Sequence, residues 1–270
     1  MNSKTIYKPA AFFLITMLIT WSFTLLTIYF SYQKGVEGWG FLMFLVGAGP
    51  VASALIMHYR AKSPALWRDY WDRLVNLKRI NLATVPIMLL LTPFAMIVSI
   101  LISLLFGKSA DQFTLTPQGG FSIGVPVISM VIIIPILEEM GWKGYGVDSL
   151  RSRVNLFYTS LWFGALWGLW HAPMFFIQNM YMNLLLSNGV YVANYFISIF
   201  ALAFIINWLF YRNKRSIIAC ALFHIIADIS AEMFAVEQFT KCIDTAVLIL
   251  VAALIVIADR KLFFEEKAPV

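Results

Sequence analysis

The stretch ISMVIIIPILEEMGWKGYG, residues 128–146, places two glutamates at the end of an uncharged apolar run. Residues 128–134 hold no charge at all, yet Glu138 and Glu139 follow side by side. The surrounding composition says what kind of run this is. Of 270 residues, 61% are hydrophobic and only 13% charged, where a soluble domain carries about 25% charged residues. Mean hydropathy is +0.80. Several apolar stretches reach about 18 residues, the length that reads as membrane-spanning. The chain therefore reads as an all-α, polytopic membrane helix bundle of about eight transmembrane helices.

The spans fall at 11–31, 38–58, 82–107, 121–142, 154–177, 190–211, 216–236 and 242–258, with the last the weakest. Short loops make residues 1–270 a single membrane domain. The main exception is 59–81. There Trp67, Tyr70, Trp71, Leu74 and Leu77 recur at helical spacing, with Arg68, Asp69, Asp72, Arg73, Asn76 and Lys78 largely on the other side. That pattern predicts an amphipathic helix lying on the membrane surface.

Charge tests the span count. With eight spans, the termini and the loops 59–81, 143–153 and 212–215 share one face. Only Lys34, Lys108 and Lys241 fall on the other, which leaves 17 of the 20 Lys and Arg residues on the first. Basic residues gather on the cytoplasmic side, so both termini are expected there, in a plasma membrane. The net charge of +6 is a topology signal, not a nucleic-acid footprint. The first apolar run follows Lys4 and Lys8 but is too long for a signal-peptide core, and no clear cleavage site follows it. Cys220 and Cys242 have no metal or redox spacing and read as packing residues. His58, beside Tyr59 and Arg60, reads as interfacial.

The ionisable residues expected inside the membrane are Glu138, Glu139, His171, His224, Asp228 and Glu232, on the fourth, fifth and seventh spans. Such residues are costly in hydrocarbon, face the bundle interior, and mark function by default. Neighbours on a helix point about 100° apart, so the two glutamates cannot face one cavity. Glu139 has Lys143 four residues on, in the favourable order. Glu138 is left free to face inward as a general base. His224 and Asp228 share one helix face, and Glu232 lies a turn further along; the same spacing also suits a polar pair joining helices. His171 precedes Ala172-Pro173, where a kink is expected. The tryptophans of WFGALWGLWHAP read as packing residues.

Together these residues carry a resemblance. Glu138-Glu139-x-x-x-Lys143, then Trp167-x-x-x-His171, then His224-x-x-x-Asp228 resemble the EExxxR, FxxxH and Hxxx(N/D) motifs of the CAAX-protease and bacteriocin-processing (CPBP, or ABI) intramembrane proteases. The match spans about 138–228 and makes 120–236 the expected catalytic core. Lys143 stands where arginine is usual and Trp167 where phenylalanine is. Asp228 can be Asn or Asp in the family. An ionised aspartate only accepts hydrogen bonds, so Asp228 must be protonated, orient His224, or play another part.

The resemblance implies peptide-bond hydrolysis within the membrane. Glu138 with His171 would activate water, and His224 with Asp228 would stabilise the oxyanion. Glu139 and Lys143 would support them. No Ser or Cys stands beside these groups as a nucleophile. If a metal is present it would be zinc on Glu138, His171 and His224; the absence of HExxH leans the reading to a metal-free glutamate. The substrate would be a peptide or protein, either a lipidated C-terminal tail or a leader peptide, met among membrane lipids. Two other classes stand beside this one: a silent scaffold or bacteriocin-immunity protein of the same fold, and a proton- or metal-coupled transporter.

One geometric tension remains. Counting at 1.5 Å per residue puts Glu138 near the basic face but His171 roughly 25 Å from it. The groups meet only if the fifth span starts after Val154 or tilts, or if 143–156 is an interfacial helix. A site built this way is expected to open toward the basic face.

Overall fold

The computed structural model describes residues 7–35, 38–115 and 127–265. Within them the chain is helical, with no β-strand. A helix stands at every expected span: α1 (Pro9–Ser31), α2 (Leu42–Ala61), α4 (Val85–Leu104), α5 (Val127–Gly141), α7 (Leu156–His171), α9 (Gly189–Arg212), α10 (Ile217–Met233) and α11 (Gln238–Ala258). Five helices, at Pro9–Ser31, Trp39–Ala61, Leu82–Leu104, Gly189–Arg212 and Gln238–Ala258, are long and apolar enough to cross a membrane. The chain is a multi-pass membrane protein. The start of the expected span 121–142 and residues Lys4 and Lys267 lie outside the described residues.

Local chemistry sets several helix starts. Asn155, Asn188 and Ser216 each accept a backbone N–H of the first turn, from Tyr158, Val190 and Ala219, which satisfies donors the helix itself leaves free. Ser63 does the same for Leu66 ahead of α3 (Pro64–Val75), with Pro64 in the first turn.

The helices close into a ring. α1 packs on α2, α2 on α5, α5 on α10, α10 on α4, α4 on α11, α11 on α9 and α9 on α7, which returns to α1. Every helix of the ring except α1 gives residues to one internal cavity.

The largest departure from expectation follows Glu139. Residues 143–153 are not a loop or an interfacial helix. The helix continues through a π-turn, Trp142–Gly146, into α6 (Val147–Arg151), and residues 141–151 are buried. The unbroken run 127–151 is about 37 Å long at 1.5 Å per residue, enough to cross the bilayer. Glu138 therefore sits near its middle, not at its edge. Glycine makes the close packing possible. A Cβ on Gly141 would lie 2.1 Å from the carbonyl carbon of Pro50 on α2, so only a bare backbone fits. α7 begins at Leu156 and gives way to a 3-10 turn, Ala172–Phe176, at the Ala172-Pro173 step. Glu138 and His171 then stand about 20 and 22 Å from the Arg151 and Leu156 ends, which removes the depth conflict.

Two further expectations are corrected. His58 is not interfacial: it is wholly buried against the rings of Trp67, Tyr70 and Tyr145, with Nδ1 2.7 Å from the Ala54 carbonyl. The helix α3 forms where expected, but Arg73 is not on a solvated face. It is completely buried. Its Nη1 donates to the Lys143 carbonyl at 2.8 Å and to Asp148 at 3.0 Å, and Nη2 to the Gly144 carbonyl at 3.0 Å. Asp148 also accepts from Tyr211 and Arg215. Burial pulls the Arg215 guanidinium toward neutrality, but the adjoining Asp148 carboxylate holds it charged, well above its ordinary range. Arginine thus ties the surface helix to the π-turn just past the glutamates.

Candidate active site

α5 brings the two glutamates in back to back. Glu138 faces the cavity. Its Oε2 accepts two indole N–H groups, Trp142 Nε1 and Trp167 Nε1, each at 3.0 Å. Glu139 points behind the cavity wall. Its Oε2 lies 3.5 Å from Lys143 Nζ and its Oε1 3.0 Å from His224 Nδ1. Lys143 is fully buried. It donates to Asn207 Oδ1 at 3.0 Å and lies 4.2 Å over the Phe163 ring. Asn207 in turn donates to Ser160 at 3.2 Å.

The two imidazoles come from α7 and α10. His171 Nδ1 is 2.8 Å from the Trp167 carbonyl. A carbonyl can only accept, so Nδ1 donates and Nε2 is the free acceptor in the neutral ring. The same reasoning makes His224 Nδ1 the donor to Glu139. His224 Nε2 lies 3.7 Å from Asp228 Oδ1. Glu139, rather than Asp228, is the close partner that fixes the His224 ring.

Glu138, His171, His224 and Asp228 all line the same cavity, of about 300 Å³. Trp167 is the piece they share: it bonds Glu138, accepts from His171, and stands edge-on to His224 with ring centroids 5.3 Å apart. Its reading as a packing residue is incomplete, because its N–H is aimed at the carboxylate. Glu232 lies further out, 3.7 Å from Lys241. Asp244, which accepts from Ser99 at 3.3 Å, and Lys241 also line the cavity. Asp244 carried no local signal in the sequence, and Lys241 stood there only as a charge on the far face.

The cavity extends toward the end of the bundle remote from the basic loops. From α5 it takes Met130, Val131, Ile134 and Glu138, and from α10 only residues from His224 onward. From α9 and α11 it takes the first halves. All of these lead away from the basic loops. At the basic end, Trp142, Lys143, Tyr145 and Arg73 are buried and none of them lines the cavity.

A zinc ion on Glu138, His171 and His224 is tested by the donors themselves. Both Nδ1 atoms donate to protein acceptors, which leaves each Nε2 and Glu138 Oε1 free in the way a metal-binding histidine and carboxylate would be. Among the described residues no three His, Cys, Asp or Glu side chains come together as a metal would need. The donor types suit the ion, but the side chains do not stand gathered around one point.

Residues 121–230 match the family described as type II CAAX prenyl endopeptidase, Rce1-like. The chain is also similar to the CAAX prenyl protease 2 of Methanococcus maripaludis, with 39% identity over 271 residues, 98% of this chain and 99% of that one. The chain belongs to the CAAX prenyl endopeptidase family. As a member of the CPBP family it is an intramembrane endopeptidase.

Sequence spacing accounts for the Glu139–Lys143 and His224–Asp228 pairs. It also contained the Glu138–Trp142 pair, four apart on one helix, which went unread. The Lys143–Asn207 and Arg73–Asp148 contacts join residues far apart in the chain and left no local signal.

Proposed function

We propose that this protein cleaves a peptide bond near the C-terminus of a lipidated tail, using water activated by Glu138 and no metal. The observation that carries the reading is the convergence of Glu138, His171 and His224 on one cavity. With Oε2 held by the indoles, Glu138 Oε1 is the oxygen left to take a proton from water. His171 Nε2 accepts the water's other hydrogen and fixes its direction. The water oxygen bonds to the peptide carbonyl carbon, and the developing oxyanion takes a hydrogen bond from Nε2–H of His224, held as the imidazolium by Glu139. Asp228, 3.7 Å from that nitrogen, adds negative charge beside the imidazolium. The C–N bond then breaks and Glu138 returns its proton to the leaving amine.

The cavity wall supports a lipidated substrate. Met43, Met96, Met130, Met174, Met180 and Met182 all line it, and thioether side chains adapt to flexible apolar groups. The relative's name adds prenyl as the lipid class. The distribution of basic residues supports termini and basic loops on the cytoplasmic side of a plasma membrane. The cavity mouth then faces the other leaflet, and the lipid arm enters through the bilayer.

Purified protein is expected to release the C-terminal fragment of a prenylated peptide, read by mass spectrometry, and to leave the unlipidated peptide largely intact. In sealed vesicles, peptide should be cut when supplied on the side remote from the basic loops. Equal cleavage of both peptides, or none, removes the lipid reading; cleavage only from the basic side reverses the orientation.

A further inference from the structure

We infer that Trp142 and Trp167 are positioning residues for the reaction: their indole N–H groups lock one oxygen of Glu138 and so decide which oxygen works as the base. The inference rests on Glu138 being that base. Both indoles are buried, and both reach the same atom, Oε2, at 3.0 Å. They approach from different helices, Trp142 from the π-turn and Trp167 from α7. A carboxylate oxygen with two good donors has little lone-pair capacity left to offer a water. The carboxyl plane is also fixed, because rotating it would break both bonds at once.

The two rings are themselves held. Trp142 lies against Phe163 and Trp170, with centroids 5.8 Å away in each case. Trp167 stacks on Phe163 at 5.5 Å. Trp167 does more than hold Glu138, since its own carbonyl sets the His171 tautomer. One residue therefore orients both groups that act on the water. A phenylalanine at 167 would preserve the ring but leave Oε2 with one donor.

The test replaces each tryptophan by phenylalanine, and separately by 3-benzothienylalanine, which keeps the fused ring and deletes only the N–H. Hydrogen bonds to charged groups are worth enough that kcat should fall roughly 10- to 100-fold for each analogue. KM should stay within about 2-fold, since the lipid and peptide contacts are untouched, and melting temperature should hold for the benzothienyl proteins. In nitrogen-15 NMR, Glu138→Gln should shift the Trp142 and Trp167 indole signals and leave the other indoles in place. An unchanged kcat in the benzothienyl proteins, a loss carried by KM, or unmoved indole signals would overturn the inference. If Glu138→Gln keeps full activity, the base assignment itself fails, and that result is distinguishable from failure of the indole pair alone.

Discussion

Glu138→Gln is expected to slow tail cleavage by about 10²- to 10⁴-fold, the usual contribution of a positioned base. The substitution is nearly isosteric. The amide oxygen can still accept the two indole N–H groups, which leaves the NH₂ where Oε1 stood. An amide nitrogen cannot take a proton from water, so the attack loses its base while the packing stays intact. Melting temperature in detergent should therefore change little. Glu139→Gln should behave differently. It weakens the hold on His224 and strands Lys143 with only Asn207 and the Phe163 ring for company. That variant should lose stability as well as rate. The pair of measurements separates the acid facing the cavity from the acid behind it.

Arg73→Met should be the most destabilising surface-helix substitution, at about 3–5 kcal/mol. The side chain is fully buried and contacts Asp148, Asp69 and the carbonyls of Lys143 and Gly144. Removing it leaves two carbonyls of the π-turn without their donor and weakens the compensation of the buried Asp148 charge. Arg215 still reaches Asp148, which limits the loss. Arg79 is the control. Its guanidinium pairs with Asp72, whose side chain is 43% exposed, and such pairs are worth about 0–1 kcal/mol. Thermal unfolding of Arg73→Met and Arg79→Met should differ by several degrees. Equal melting temperatures would mean that the arginine beneath the π-turn is dispensable.

These two residues also mark what could be read from the chain and what could not. The helices were legible because apolar runs of membrane length have one common use. The glutamates sorted themselves by helical geometry, with Lys143 drawing Glu139 and leaving Glu138. The pairing of His224 with Glu139 was not legible, because the visible partner, Asp228, sat one turn away on the same helix. Nor was the continuation of the helix past Gly141. Lys143 and the glycines at 144 and 146 look like the start of a loop, and only the close fit against Pro50, Tyr70 and Phe12 makes them helix. That misreading put Glu138 at the membrane edge. Arg73 was placed in water because arginine on an amphipathic helix usually belongs there; its burial depends on Asp148, contributed by a distant part of the chain.

The central claim is that a carboxylate, with no metal ion, activates the water. Its most direct test is single-turnover cleavage of a prenylated peptide by protein stripped of metal, with the metal content of the same sample measured by mass spectrometry. Stripped wild-type protein should cut at the rate of untreated protein with metal well below one ion per chain. A rate that collapses on stripping and returns on adding zinc would contradict it.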